Sequence, residues 1–211
     1  MPTSSLRTGR RPYSSPLREA GAGATRRAVL SAARFEFTKS GYEAATIEAV
    51  AAAARVSAPT VYALFRSKAG LLSAVVADGG SDPDIRVLAG MALTETDPRR
   101  RIAAAARVVR EIMKRERGIL GVLRQAGTAR EELHAARRQV HEQQRDALGR
   151  ALRPLHDAGA LRSGMRFDEA VTTFAALASP ESFWLLVDEQ GWSPARWGRW
   201  LADSATRLLL D

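Results

Sequence analysis

Three helix-capping residues, Thr46, Ser57 and Ser67, follow one another at intervals of ten or eleven residues. A Ser or Thr side chain at an N-cap accepts a hydrogen bond from a backbone N–H of the first helical turn, so each of them predicts the start of a helix. Pro59 fits the first turn of the second helix, because the N–H that proline lacks has no partner there. The spacing leaves room only for short helices joined by tight turns, which limits this segment to a compact helical unit.

Apolar residues in this segment repeat every three or four positions, which is the spacing of one face of a helix. The stripe comprises Ile47, Val50, Ala51, Ala54, Val56, Val61 and Phe65. Two short helices locked by such a stripe have the size of a helix-turn-helix that reads DNA. On the outward side, Ala58 and Ala63 are small enough to permit close approach to a groove. The hydroxyls of Thr60 and Tyr62 can reach phosphate oxygens, and Lys68 adds a cation one turn into the next helix.

Positive charge is concentrated at the N-terminal end of the chain. Residues 1–70 contain eleven Lys or Arg and four Glu, which places +7 of the formal net charge of +9 in this third. A basic end on a nearly balanced body is the electrostatic footprint of a protein that binds a polyanion. A solvated basic tail explains the same count, so charge alone leaves both interpretations open.

The rest of the chain predicts helices and no strands. Residues 1–24 are rich in Ser, Pro, Gly and Arg and predict a disordered basic arm, after which Thr25 caps a helix that ends near Gly41. After a break at 78–83, helices are expected at 84–92, 97–116, 118–125, 128–158, 167–178, 180–189 and 193–210. We expect an all-α fold, with an N-terminal three-helix helix-turn-helix domain at 25–72 and a larger antiparallel helical regulatory bundle at 73–211.

The sequence lacks the residues that several classes of function require. The chain has no cysteine, which excludes disulfides, thiolate metal sites and a cysteine nucleophile. His134 and His141 are two helical turns apart, too far to chelate one ion, and no glycine-rich nucleotide loop or nucleophile elbow is present. No apolar run approaches the roughly 20 residues that cross a bilayer, and no signal peptide is visible. We therefore expect a cytoplasmic protein that is not an enzyme and has no metal or cofactor.

The order and spacing of residues 25–75 resemble the DNA-binding domain of the TetR/AcrR repressor family. The matching residues are Gly41-Tyr42, Thr46-Ile47, Ala51, Val56-Ser57, Thr60-Val61-Tyr62, Phe65, Ser67-Lys68 and Leu71-Leu72. The resemblance implies a homodimeric repressor that inserts two recognition helices into successive major grooves of a palindromic operator. It also implies release from DNA by a small-molecule effector.

The resemblance implies roles for individual residues. The expected DNA contacts are Thr46, Arg55, Ser57, Ala58, Pro59, Thr60, Tyr62 and Lys68. By this resemblance, Thr46 occupies a position that contacts a phosphate, and Tyr62 and Lys68 occupy positions that hold the DNA backbone. The chain departs from the family pattern at Arg55, which replaces a turn glycine and adds a cation near DNA. It departs again at Leu64, which replaces a His or Tyr, so one phosphate contact of the pattern is missing.

In the body, the resemblance implies a ligand cavity and a dimer interface formed by the last two long helices. The candidate ligand contacts are Met113, Phe174, Phe183 and Trp184, and the candidate dimer contacts are Trp197, Trp200, Leu201 and Leu208. Each of these residues also fits ordinary core packing, which is the simpler interpretation for any one of them. We expect a small and largely apolar effector, since few buried charges are evident.

Two functions of different classes fit these observations. The first is an operator-specific repressor that responds to a ligand. The second is a basic helical protein that binds DNA non-specifically or acts through a protein partner. A titration with cognate and random duplex at fixed salt separates them, because specific recognition exceeds non-specific binding by on the order of a thousandfold or more.

Overall fold

The computed structural model describes residues 16–79, 82–125 and 131–211. Its helices are α1 (Pro16–Ala44), α2 (Ile47–Ala54), α3 (Ala58–Phe65), α4 (Lys68–Asp78), α5 (Pro83–Thr94), α6 (Pro98–Gln125), α7 (Glu131–Asp157), α8 (Phe167–Leu177), α9 (Pro180–Phe183) with a π-helical continuation (Trp184–Glu189), and α10 (Pro194–Leu209). No strand occurs among these described residues, so the predicted all-α fold is confirmed. Residues 1–15 of the predicted arm, Gly80 and Ser81 of the predicted break, and the helix start predicted at Thr128 lie outside the described residues.

The first helix is longer than predicted. It begins at Pro16 rather than at Thr25, so the boundary of the arm at residue 24 is wrong and Thr25 lies inside α1. Gly21 and Gly23 suggested a loop, but each costs a helix only about 1 kcal/mol, and Pro16 suits a first turn. The predicted stop is present: Gly41 leaves the helical conformation with φ 76° and ψ 173°.

The three caps in the centre of the N-terminal domain form as predicted. Thr46 accepts from Ala49 N–H at 3.1 Å, and Ser67 accepts from Gly70 N–H at 2.9 Å. The oxygen of Ser57 accepts from the N–H of the third residue after it at 3.3 Å. The caps at Thr46, Ser57 and Ser67 therefore fix where α2, α3 and α4 begin, respectively.

The body is built on α6, which packs against α1, α5, α7 and α10. Sequence analysis predicted two helices here, 97–116 and 118–125, but α6 runs unbroken from Pro98 to Gln125. Gly118 was interpreted as a break, whereas it marks a helix crossing: a Cβ at this position would lie 2.7 Å from Cγ2 of Thr38 on α1. The glycine is therefore required by packing between helices and not by a turn.

The segment Phe167–Glu189, which contains α8 and α9, is more apolar than the sequence analysis recognised. It is 23 residues long, and an 18-residue window within it has a mean hydropathy of 1.3, which suffices by length and composition alone to span a membrane. Phe174 and Phe183 are buried inside the bundle, as expected for core helices of a folded body.

Candidate nucleic-acid interface

The turn between α2 and α3 is closed by a left-handed residue. Arg55 has φ 57° and ψ 42°, and its N–H donates to the carbonyl of Ala52 at 3.1 Å. The next N–H, from Val56, donates to the carbonyl of Ala51 at 3.0 Å. The turn that the family pattern gives to glycine is thus made here by an arginine whose side chain is exposed.

One face of α3 is buried and the opposite face is exposed, as the apolar stripe predicted. Val61 and Phe65 are buried against the neighbouring helices. Pro59, Tyr62 and Ala63 are exposed, with 47% of the Tyr62 surface accessible. Of the remaining predicted contacts on this helix, Ala58 and Thr60 are half-buried. The outward surface offers small side chains and a phenol hydroxyl, which suits entry into a DNA groove.

Two hydroxyls at the start of α3 are hydrogen-bonded to each other. The oxygens of Ser57 and Thr60 lie 2.8 Å apart. A single bond between two hydroxyls uses one of their two protons, so the pair keeps one proton that it can donate to an acceptor such as a phosphate. Thr46 can donate a proton in the same way. Its oxygen accepts from the backbone N–H of Ala49, and its own hydroxyl proton is not needed for the cap.

Lys68 stabilises the end of α1 as well as beginning α4. Its ammonium donates to the carbonyl of Glu43 at 3.0 Å and lies 4.6 Å from the centre of the Tyr42 ring. The side chain is half-buried. This geometry holds a cation beside the turn that leads to Thr46, with ammonium N–H groups still available beyond the one bound to Glu43.

Arg66 is a residue that the sequence analysis missed. It ends α3 with φ 67° and ψ −40°, and its N–H donates to the carbonyl of Tyr62 at 2.8 Å. The following turn is tight enough that a Cβ at Gly70 would come 2.3 Å from the carbonyl oxygen of Phe65. Gly70 was the available signal, because a glycine early in a helix indicates close approach of another backbone.

Comparison with known proteins agrees with this geometry. Residues 29–75 match the model of the bacterial regulatory proteins of the tetR family. The whole fold is similar to that of NalD, the secondary repressor of the MexAB-OprM multidrug efflux pump in Pseudomonas aeruginosa, at 25% identity over 90% of this chain and 98% of NalD, with a TM-score of 0.64. The chain carries the DNA-binding domain of the TetR family. It is a DNA-binding transcriptional regulator of the helix-turn-helix type.

Other solved structures share the fold of this TetR-family regulator. SmeT, the repressor of the Stenotrophomonas maltophilia multidrug efflux pump SmeDEF, is 24% identical over 90% of this chain and 92% of its own, with a TM-score of 0.62. A protein from Saccharomonospora viridis in complex with choline is 17% identical over 90% of this chain and 99% of its own, with a TM-score of 0.65. No curated protein matches the chain in sequence.

The DNA-binding head (α1–α4) packs on the body through α1 against α6 and α4 against α7, and Arg34 forms an ion pair at this junction. The guanidinium of Arg34 on α1 pairs with Glu116 on α6 and also donates to the carbonyl of Val75 on α4 at 2.9 Å. Gly79 makes room for the carboxylate, because a Cβ there would lie 2.7 Å from Cδ of Glu116. Three helices therefore meet at one ion pair.

The predicted ligand contacts of the TetR-family body do not come together in one cavity. Met113, Phe174 and Phe183 are buried in the core, and only Trp184 borders the groove, of about 330 Å³, between α6, α7 and α9. The groove is lined by Leu120, Leu123, Arg124, Arg137, Val140, His141, Pro180, Glu181, Trp184, Leu185 and Glu189. The guanidinium of Arg124 lies 5.1 Å from the centre of the Trp184 ring.

Two of the predicted dimer contacts are buried within the protomer. Trp197 and Leu201 are fully buried, and the ring of Trp197 packs edge-on against Phe183 with 5.0 Å between ring centres. These two residues of the predicted stripe pack inside the chain, because α10 turns them toward its own α6 and α8. Trp200 is half-buried and Leu208 is 41% exposed, so these two lie at the surface.

Proposed function

We propose that this TetR-family regulator is a repressor that binds a palindromic operator as a homodimer and is released by a small-molecule effector. The observation that carries the proposal is the rigidly capped α3, whose outward face carries exposed Pro59, Tyr62 and Ala63. Short helices that are held by caps at both neighbouring turns present their side chains in one orientation, as base readout requires. NalD and SmeT are described as repressors of efflux pumps, which supports the same sign of regulation here.

We assign the dimer interface to the outer faces of α9, its π-helical continuation and α10. Leu185 and Leu208 are 49% and 41% exposed, and Trp200 is half-buried. A two-fold axis beside these helices would let the same apolar residues of two copies cover one another. Leu208→Glu should then produce monomers in sedimentation velocity. Leu93→Glu is the matched control, since Leu93 is similarly exposed (43%) but lies on α5.

We place the effector in the groove beside Trp184. An indole face with the leucines of α6 suits the apolar body of a small molecule, and the charged residues at the rim suit its polar group. A SmeT structure contains triclosan, at 23% identity to this chain, and this makes triclosan a reasonable aromatic probe. Four ligand contacts were expected from the sequence: Met113, Phe174, Phe183 and Trp184. Of these, only Trp184 lines this groove.

Release would act through α6. Leu120 at the groove is one helical turn from Glu116 at the joint with α1, about 6 Å along the helix. A ligand that prefers a shifted α6 would move the anchor of Arg34 and with it the spacing of the two heads. A coupling of roughly 1–3 kcal/mol changes DNA affinity about 5–150-fold.

Selection of bound duplexes from a random pool, followed by titration at fixed salt, tests the proposal. We expect a palindromic motif bound on the order of a thousandfold more tightly than a scrambled duplex. Triclosan should weaken that complex, and Trp184→Ala should abolish its effect while leaving DNA affinity unchanged. Equal affinity for selected and scrambled duplex would instead favour a non-specific DNA-binding protein. A cytoplasmic location, typical of TetR-family regulators, belongs to this proposal.

A further inference from the structure

The recognition helix is bracketed by two arginines in a backbone conformation that favours glycine. Among the described residues, Arg55 (φ 57°) and Arg66 (φ 67°) are the non-glycine residues with positive φ. Arg55 caps the end of α2, two residues before Ser57, the N-cap of α3, and Arg66 caps the end of α3. A side chain at positive φ crowds its own backbone, so at both positions glycine would be the less strained residue.

Contacts within the protein do not account for this choice. Both side chains are exposed. Within residues 16–79, 82–125 and 131–211, neither guanidinium takes part in an ion pair, a side-chain hydrogen bond or a contact with an aromatic ring. By contrast, Arg34 and Arg26 in the same domain each have a partner, Glu116 and the Phe65 ring respectively. The strain at the two turns is therefore not offset by packing of the side chains that occupy them.

Their positions match the walls of a DNA groove. The eight residues of α3 span about 12 Å, and the major groove of B-form DNA is about 12 Å wide. A helix of this length whose axis crosses the groove brings the turns at its two ends beside the phosphates of the two strands. Arginine suits that position, because its planar guanidinium binds phosphate oxygens through two parallel N–H groups.

We infer that Arg55 and Arg66 form a two-ended clamp on the phosphates that flank the recognition helix, and that the strained turns are kept for DNA affinity rather than for folding. The inference rests on the proposed insertion of α3 into the major groove. The clamp contributes affinity without reading sequence, because phosphates are the same at every base pair. Arg66 thereby joins the DNA contacts, and Arg55 gains a specific role among them.

Glycine substitutions separate the effect of these arginines on backbone strain from their effect on DNA affinity. Arg55→Gly and Arg66→Gly relieve the turns, so each variant should have a Tm equal to or above that of the unsubstituted protein. Each should bind both selected and random duplex about tenfold or more weakly, since a charge-assisted hydrogen bond to phosphate is lost. The slope of log K against log salt should become shallower by about 0.9 for each phosphate contact removed.

Two further variants complete the test. Arg66→Lys keeps the cation and should retain part of the affinity and the original salt slope. Arg86→Ala on α5 removes an exposed arginine away from α3 and should change neither the Tm nor DNA binding by more than a small factor.

A lower Tm in the glycine variants, or unchanged affinity and salt slope, would overturn the clamp. Failure of the operator proposal looks different. In that case the unsubstituted protein would show no preference among duplexes, while the glycine variants would still lose affinity for all of them.

Discussion

Arg34 and Glu116 form the ion pair that joins the DNA-binding head to the body. The carboxylate is the more buried partner, with 12% of its side chain exposed against 31% for the arginine. Removing the arginine therefore leaves a nearly buried carboxylate without its partner, whereas removing both charges does not. This asymmetry makes the joint testable by comparing single and double substitutions.

We predict that Arg34→Met lowers the free energy of unfolding by about 1–3 kcal/mol, and that adding Glu116→Gln to it restores part of the loss. Urea denaturation followed by circular dichroism measures both. The double variant should also bind DNA but respond less to the effector, because one of the contacts between α6 and α1 is lost. Full effector response in the double variant would remove this pair from the proposed route of release.

Gly118 and Gly121 on α6 give a second prediction, because only one of them lies at a helix crossing. A Cβ at Gly121 meets no atom within 4 Å, so Gly121→Ala should stabilise the protein by about 0.5–1 kcal/mol through helix propensity. A Cβ at Gly118 meets Cγ2 of Thr38 at 2.7 Å, so Gly118→Ala should lose this gain and destabilise by about 1–3 kcal/mol.

The matched control for that clash is Thr38→Ser, which deletes the methyl group that the new Cβ would meet. Thermal unfolding of the unsubstituted protein, the three single variants and the Thr38→Ser/Gly118→Ala double variant measures the effect. In the Thr38→Ser background, Gly118→Ala should become as favourable as Gly121→Ala. A clash that persisted in this background would mean that the retained hydroxyl oxygen, 3.3 Å from the added Cβ, or the backbone of α1 sets the approach of the two helices, and not this methyl group.

How much could be predicted from the sequence varied with the range of the interaction involved. The caps at Thr46, Ser57 and Ser67 were predicted correctly because each depends on an N–H two or three residues away. Gly118 and Trp197 were misread because their surroundings come from distant parts of the chain. The sequence does not distinguish a glycine at a helix crossing from a glycine at a turn. Likewise, a stripe of large apolar residues does not indicate which helix packs against it. Arg66 was missed for a different reason: its contacts are local, but the tight approach of Gly70 to the Phe65 carbonyl that marks this turn was not recognised.

Tyr62→Phe should weaken binding to every duplex by about tenfold or more, because a hydrogen bond to a charged phosphate is lost, while leaving the Tm unchanged. The hydroxyl lies on a side chain that is 47% exposed, and the ring is retained. Fluorescence anisotropy with selected and random duplexes measures the loss. A change confined to the selected duplex would mean that Tyr62 reads a base rather than holding a phosphate.

Lys68→Met should differ from Tyr62→Phe in also lowering stability. Its ammonium bonds to the carbonyl of Glu43, and losing that contact should cost about 1–3 kcal/mol of unfolding free energy in addition to the loss of DNA affinity. Urea denaturation beside the anisotropy titration distinguishes the two effects. Normal stability with weakened DNA binding would show that Lys68 acts on DNA alone, and the reverse would make it a purely structural residue.

Glu111 on α6 predicts a dependence of stability on acid pH. A hydrogen bond from Lys114, at 2.9 Å, lowers the pKa of its carboxyl from the usual 4.5; partial burial opposes this, and a hydrogen bond from Arg110 adds to the lowering. Because the pKa is lower in the folded chain than in the unfolded one, the ionised carboxylate stabilises the fold above about pH 4.5. That stabilisation is lost as the pH falls below this value and through the folded pKa.

Glu111→Gln removes the titrating group, so we predict that its Tm falls below that of the unsubstituted protein at pH 7 and that the difference narrows as the pH is lowered through and below about 4.5. Calorimetry across this range measures the change, and Glu142→Gln, which alters an exposed glutamate of α7, is the control. A difference in Tm that stayed constant from neutral to acid pH would show that Glu111 contributes through packing rather than charge. Direct NMR titration of the Glu111 carboxyl should give a pKa below 4.5.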